Sequence, residues 1–326
     1  MPADALSDVL RRVRMTGAIF FSVAAREPWV AEQLSRETVL PMILPGAEHM
    51  MAFHIVTEGR CYAHIIGGEA IELRAGEVIV FTRGDPHVMS SSPGMRADPL
   101  PTSDNDNLAR SALPFTACFG DEGPPTARVV CGFLACDSSP FNPLLDNLPA
   151  VLTAGGSESN NMPWLAELVR VAMDEASNKR AGGESVLAKL TELMFIEVVR
   201  QYLERLPAEQ SGWLAGLRDQ SVGRALSLMH AEPARNWQLA ELARRVGSSR
   251  SEFAGRFACI VGLPPMQYLA KWRMQLASGL LRENVNIASI AAEVGYGSEA
   301  SFSRAFKKIV GASPSHWRDR QEILAA

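Results

Sequence analysis

Leu239-Ala-Glu-Leu-Ala243-Arg-Arg-Val-Gly247-Ser-Ser-Arg-Ser-Glu-Phe253-Ala-Gly-Arg-Phe257 and Ile287-Ala-Ser-Ile-Ala291-Ala-Glu-Val-Gly295-Tyr-Gly-Ser-Glu-Ala-Ser-Phe302-Ser-Arg-Ala-Phe306 are two copies of one pattern. In each, a small residue, Ala243 or Ala291, lies four positions before a glycine, and two phenylalanines four apart follow it. Bulk at the alanine would hold a second helix away from the first, and Gly247 or Gly295 supplies the positive φ that a sharp turn between helices needs. Phenylalanines at i and i+4 share one helix face and anchor it to a core. One copy alone is compatible with an ordinary helical hairpin. Two copies in the same order, the second longer by one residue between glycine and phenylalanine, point to a repeated helix-turn-helix device for reading DNA.

Between the copies, Leu263 to Leu281 opens with two prolines suited to a helix N-terminus and is apolar at Tyr268, Leu269, Trp272, Leu276 and Leu280. A helix of roughly 18 residues would separate the two units by roughly 27 Å, close to one DNA turn of about 34 Å. The region resembles the AraC/XylS family of bacterial transcription regulators. Ile287-Ala-x-Ile-Ala-x-x-Val-Gly-Tyr, Ser301-Phe-Ser-Arg-Ala-Phe-Lys-Lys and Gly311-x-Ser-Pro-Ser-x-Trp-Arg318 carry the resemblance. It implies an all-α DNA-binding domain whose recognition helices enter successive major grooves. Its implied partners are double-stranded DNA and RNA polymerase, and most members of the family are activators.

With Phe253 and Phe257 buried, the first recognition helix presents Arg250, Ser251, Ala254 and Gly255. The second presents Glu299, Ala300, Ser303 and Arg304. Arg304 matches a base-reading position of the family, and a guanidinium suits the paired acceptors of guanine. Lys307 and Lys308 are suited to phosphates, which fix register without reading sequence. Family members often carry arginine where Gly255 stands, which implies weak direct base readout by the first unit.

The net charge of −4 hides an asymmetry. Residues 212–326 hold 15 Lys and Arg against 9 Asp and Glu, leaving 17 against 27 of the chain's 32 and 36 for residues 1–211. A basic half for DNA and an acidic half for another task fit this division. At 326 residues the chain is expected to form more than one domain. It shows no apolar run of membrane-spanning length and no export signal, so a cytoplasmic protein is expected. Five cysteines, an odd number, argue against a disulfide framework.

Upstream, the apolar runs Thr16–Ala25, Met50–Val56, Cys61–Ile66, Ala70–Leu73 and Val78–Phe81 read as short strands. Glu58-Gly59, Gly67-Gly68 and Ala75-Gly76 read as turns between them. Gly76-Glu-Val-Ile-Val-Phe-Thr82-Arg-Gly84-Asp-Pro-His87 resembles the second motif of the cupin barrel, with Thr82 in place of the usual proline. His49 and Phe53-His-Ile-Val-Thr-Glu-Gly59 resemble part of the first, although Ala52 stands where the metal-binding glutamate would be and the His-x-His is missing. Residues 8–152 resemble the cupin sensor domains that precede AraC-type reading heads. By strand parity His54 points inward, and the cupin motif places His87 inward too.

The expected fold is therefore α+β. A cupin-like β-barrel sensor spans 1–155, a helical dimerisation and linker segment 156–211, and an all-α domain of two helix-turn-helix units 212–326. Ser90–Pro114 reads as a mobile loop, Gly155–Asn161 as a polar connector, Pro163–Asn178 and Glu184–Leu206 as helices, and Pro207–Gly216 as a hinge. The second of those helices is apolar enough to pack on the barrel or to form a dimer, and the resemblance favours a homodimer. His54 and His87 are the effector-binding candidates. A metal ion in the barrel stays open, with His49, His54 and His87 as its candidates; no other cofactor and no catalytic residue is expected. Cys61 and Cys131 are the candidates for oxidant sensing. The expected protein is a sequence-specific regulator controlled by a small molecule or stress signal. The alternatives are an oxidant-sensing regulator and a cupin metalloenzyme carrying a DNA-binding tail.

Overall fold

A computed structural model describes residues 4–12, 15–43, 47–97, 115–136, 140–155, 163–178, 180–207 and 210–325. The chain divides into two compact units, and they do not follow chain order. One comprises Met15–Asp137 and Leu148–Arg205; the other comprises Met1–Arg14, Ser138–Asn147 and Leu206–Ala326.

The first unit is a curled nine-stranded sheet with a helical hairpin. Its strands are β1 (Met15–Ala25), β2 (Val30–Gln33), β3 (His49–Ile65), β4 (Ile71–Arg74), β5 (Val78–Phe81), β6 (His87–Ser90), β7 (Phe115–Phe119), β8 (Ala127–Cys136) and β9 (Val151–Ala154). The path β2-β6-β3-β8-β1-β7 is extended by β4 and β5 on β3 and by β9 on β5. Ala52, Val56, Cys61, Ala63, Ile79, Phe81, Val129 and Phe133 share its core.

The two separate strands expected at Met50–Val56 and Cys61–Ile66 are one strand, β3. The chain passes through Glu58-Gly59 as a bulge, with a register shift against β8 between Val56 and Glu58. Gly59 has φ +73°, and a Cβ there would lie 2.0 Å from the Thr126 carbonyl oxygen. The same glycine signal that marks a turn here marks a bulge. It lets β3 pair with β8 and β5 along its first half and with β4 and β6 along its second. Two helices, Pro163–Asn178 and Gly183–Arg205, pair with each other, and the second packs on β1 and β9; its Met194, Phe195, Val198 and Val199 are buried.

The second unit is helical. An N-terminal helix, α1 (Ala5–Arg12), contacts the helix at Gln220–Ala231. Residues 140–147 are bound by side-chain contacts: Asn147 Oδ1 accepts the Trp213 amide at 2.9 Å, and the Phe141 amide donates to Gln275 Oε1 at 3.1 Å. Trp213 also begins a helix, Trp213–Arg218, inside the stretch expected as a hinge. Residues 13–14, 98–114, 156–162 and 208–209 lie outside the described residues; they include most of the expected Ser90–Pro114 loop and all but the first residue of the Gly155–Asn161 connector.

Candidate nucleic-acid interface and barrel cavity

The two copies of the sequence pattern form two helix pairs. Leu239–Arg245 is followed by Arg250–Val261, and Ile287–Glu293 by Glu299–Val310. Gly247 and Gly295 take φ of +75° and +81°, and the next residue's amide returns to the alanine carbonyl: Ser248 to Ala243 at 2.9 Å and Tyr296 to Ala291 at 2.8 Å. Ser249 and Ser298 cap the second helix of each pair by accepting the Glu252 and Ser301 amides. Gly262 and Gly311 end those helices in the left-handed conformation. Phe253, Phe257, Phe302 and Phe306 are fully buried. At about 3–5 kcal/mol lost on truncation to alanine, they fix each recognition helix on its unit.

Burial of that face turns the opposite one to solvent. Arg250, Ser251, Glu299, Ala300, Arg304, Lys307 and Lys308 are exposed, and Ala254 and Ser303 are half-buried. Among the described residues Arg250, Arg304, Lys307 and Lys308 form no ion pair, whereas Arg256 is taken up by Asp219. A helix of 18 residues, Pro265–Arg282, joins the units through its buried Tyr268, Leu269, Trp272 and Leu276.

Two side chains the sequence reading passed over hold this unit together. Asp219 caps the helix at Gln220–Ala231 by accepting the Ser221 and Val222 amides, and it binds Arg256 on the first recognition helix. Burial alone would raise the Asp219 carboxyl, but the Arg256 and amide hydrogen bonds hold it down at about 2. The signal was present, since an aspartate just ahead of an apolar-periodic run, here three positions before Val222, is a cap signature. Arg273 was missed because nothing in its helical spacing marks it. Its guanidinium donates to the carbonyls of Pro233, Arg235 and Gly295.

In the first unit His54 and His87 come together, Nε2 to Nε2 at 2.8 Å. The His87 Nδ1 lies 2.9 Å from the Asp85 carbonyl oxygen, which can only accept, so that nitrogen carries the proton. The neutral His87 ring then accepts at Nε2, and His54 Nε2–H donates to it. Burial pushes the His87 pKa down to about 4 and that of His54 well below its usual value, so the pair is uncharged at neutral pH. Phe81 stacks on His87 at 3.9 Å between centroids and meets His54 edge-on. The pair borders a cavity of 40 Å³ whose other walls include Val23, Trp29, Met89, Phe119 and Val129.

His49 is held elsewhere, with its ring nitrogens on the Thr82 carbonyl and Arg36. Among the described residues no three His, Cys, Asp or Glu side chains gather as a metal would require, and the buried Ala52 offers no ligand. The described residues therefore do not fit a resident metal. Cys61 and Cys131 are buried in the barrel core, and burial pushes the Cys61 thiol up to about 12 and Cys131 well above the usual range. Burial of this kind disfavours the thiolate.

The cupin family profile matches residues 4–204, and that of a helix-turn-helix domain matches residues 242–320. A protein of Streptomyces lividans named as an AraC-like transcription regulator is 32% identical over 97% of this chain and 98% of its own length. The chain belongs to the AraC family of transcription regulators. Other relatives are the HTH-type transcriptional regulator AlkR of Acinetobacter baylyi, 26% identical over 97% of this chain and 99% of its own, and the HTH-type activator RclR of Escherichia coli, named as specific for RCS, 26% identical over 86% and 88%. The crystal structure of ToxT from Vibrio cholerae O395 superposes loosely, with a TM-score of 0.35 and 11% identity over 95% of this chain and 98% of that one. The AraC assignment rests on the sequence matches. It identifies the two helix pairs as a DNA-binding helix-turn-helix domain and the curled sheet as a cupin domain.

Proposed function

We propose that this AraC-type regulator activates transcription in the cytoplasm by reading DNA with both recognition helices, recruiting RNA polymerase, under control of an effector in the cupin barrel. The observation that carries the DNA reading is the pair of helix-turn-helix units with the same helix lengths and turn geometry and with their unpaired basic residues outward. Arg304 reads a guanine edge, Arg250, Ser251, Ala254, Glu299, Ala300 and Ser303 lie along the grooves, and Lys307 and Lys308 hold phosphates. Arg304→Ala should cost about 1–3 kcal/mol on specific DNA and relax the preference at one base pair, while Lys307→Ala weakens all sequences alike. Equal losses for Arg304→Ala on specific and random duplexes would remove its reading role.

For the barrel, the support is the cavity beside the His54–His87 pair. Its walls are mainly apolar, its imidazoles are neutral, and the Glu32 carboxylate among its lining residues is already paired with Arg96, which favours a small uncharged effector over a carboxylate. An effector shifts the regulator only through different affinities for its two states. His87→Ala should therefore blunt induction in a reporter assay and leave DNA affinity without effector unchanged; a normal induction curve from a folded variant would place the effector elsewhere. The burial of Cys61 and Cys131 speaks against oxidant sensing through those two thiols, and Ala52 speaks against a cupin metalloenzyme. A homodimer is supported by Val171, Val186 and Leu193, which stay exposed on the helical hairpin. Leu193→Glu should then yield monomers in sedimentation, and an unchanged sedimentation coefficient would reject that face.

A further inference from the structure

The two helix-turn-helix units touch a common short segment, Glu232–Trp237, and one side chain ties that segment to the second unit. Towards the first unit, Arg235 bonds Glu232 and Glu241, Glu241 lies on the first helix of that unit, and the Arg235 guanidinium covers the Trp237 ring at 4.4 Å. The Trp237 indole N–H in turn donates to the Glu232 carbonyl at 2.9 Å. Towards the second unit, the turn glycine Gly295 is pressed against the same segment: a Cβ there would lie 2.4 Å from the Ala234 carbonyl oxygen. Arg273, from the helix joining the units, closes the assembly. Its Nε donates to the Pro233 carbonyl at 2.7 Å, Nη2 to the Arg235 carbonyl at 2.8 Å and Nη1 to the Gly295 carbonyl at 3.4 Å, and the guanidinium lies 5.7 Å from the Tyr296 ring centre.

We propose that Arg273 is the positioning residue that fixes the two reading units relative to each other, and so sets which spacing between two major-groove segments the protein accepts. A planar guanidinium presents several N–H groups in a fixed fork, so one side chain can hold three carbonyls in a defined mutual geometry. Two of those carbonyls belong to the segment that carries the first unit, and the third belongs to the turn of the second. Arg273 touches none of the outward residues assigned to DNA; it acts through where Arg304 and Arg250 are held. An interface preorganised in this way avoids ordering one unit against the other on binding, and it penalises any DNA whose two segments are out of phase.

This inference rests on the reading of DNA by both units, and the experiment separates the two. The probe is a duplex selected by the full-length protein from a random-sequence pool, together with versions carrying one or two base pairs inserted midway between the two protected segments. Each insertion turns the second segment by about 34° about the helix axis. The wild-type protein should lose about tenfold in affinity or more per insertion, in line with the cost of a mismatched base pair. Arg273→Met should lose affinity for the original duplex and show little further loss on insertion, because its units are no longer held in phase. Arg273→Lys keeps the charge and the stem but cannot span three carbonyls, so it should flatten the spacing profile too. A purely structural role would lower all duplexes by one common factor and leave the profile steep, and that result overturns the proposal. So does unfolding of the helical unit in both variants, seen as loss of far-UV circular dichroism. A wild-type protein indifferent to spacing would instead reject the two-unit reading itself.

Discussion

Replacing Asp219 by alanine should destabilise the DNA-binding unit by about 1.5–2 kcal/mol. The carboxylate does two things at once. It caps the helix at Gln220–Ala231 through the Ser221 and Val222 amides at 3.1 and 2.9 Å, and it accepts from Arg256 Nε at 2.9 Å. Loss of such a cap costs about 1 kcal/mol. The Arg256 guanidinium is more than half exposed, with a relative accessibility of 56%, so solvent screening limits the ion pair to about 0.5–1 kcal/mol. In thermal unfolding the sum corresponds to a fall of roughly 5–7 °C for a unit of this size. Tryptophan fluorescence suits the measurement, because Trp213, Trp237, Trp272 and Trp317 all lie in this unit and are buried.

The pH dependence has a defined sign. The folded carboxyl titrates near 2, below its ordinary value of 3.8, so its contribution is fully present above about pH 4 and is lost as pH falls through 2. The stability gap between wild type and Asp219→Asn should therefore narrow between pH 4 and pH 2. A cycle with Arg256→Ala should give a coupling of about 0.5–1 kcal/mol. An Asp219→Ala protein within about 0.3 kcal/mol of wild type at neutral pH would refute the reasoning.

The paired turn glycines should respond unequally to alanine. Both have positive φ, but a Cβ at Gly247 meets open space while one at Gly295 collides with the Ala234 backbone; Gly247→Ala should cost about 1 kcal/mol and Gly295→Ala at least twice that by denaturant melts, and equal costs would contradict the geometry. Cys61 and Cys131 should resist iodoacetamide in the native protein at pH 8 while the exposed Cys118 and Cys259 are labelled; rapid labelling of Cys61, read by mass spectrometry, would reopen oxidant sensing at that thiol.

The reading heads were legible because their signal is local and doubled. An alanine, a turn glycine and two phenylalanines at fixed spacing each report a steric need within a few residues, and the second copy removes coincidence. The inward placement was legible, for His54 from strand parity and for His87 from the resemblance to the cupin motif, but their mutual hydrogen bond was not, since it joins residues of two different strands. The grouping of residues 140–147 with the helical unit was not legible, because it is decided by distant partners. Phe141 is held by Gln275 and covered by Lys271 at 5.3 Å, and Asn147 holds Trp213. No local pattern announces such contacts. A fragment cut at 212 would lose them, so the full chain is the proper object for DNA measurements. Arg273 is hidden for the same reason: three carbonyls from two distant segments define its role, and none is near it in sequence.

Hydroxyl-radical footprinting of the full-length protein on a duplex it selects from a random pool tests the central claim most directly. Two recognition helices joined by an 18-residue helix should protect two segments on one face of the duplex, about 10 bp apart centre to centre. Arg304→Ala should weaken protection at the segment read by the second unit more than at the other. Protection confined to a single segment, unchanged by substitutions in one of the two helix-turn-helix units, would contradict the account.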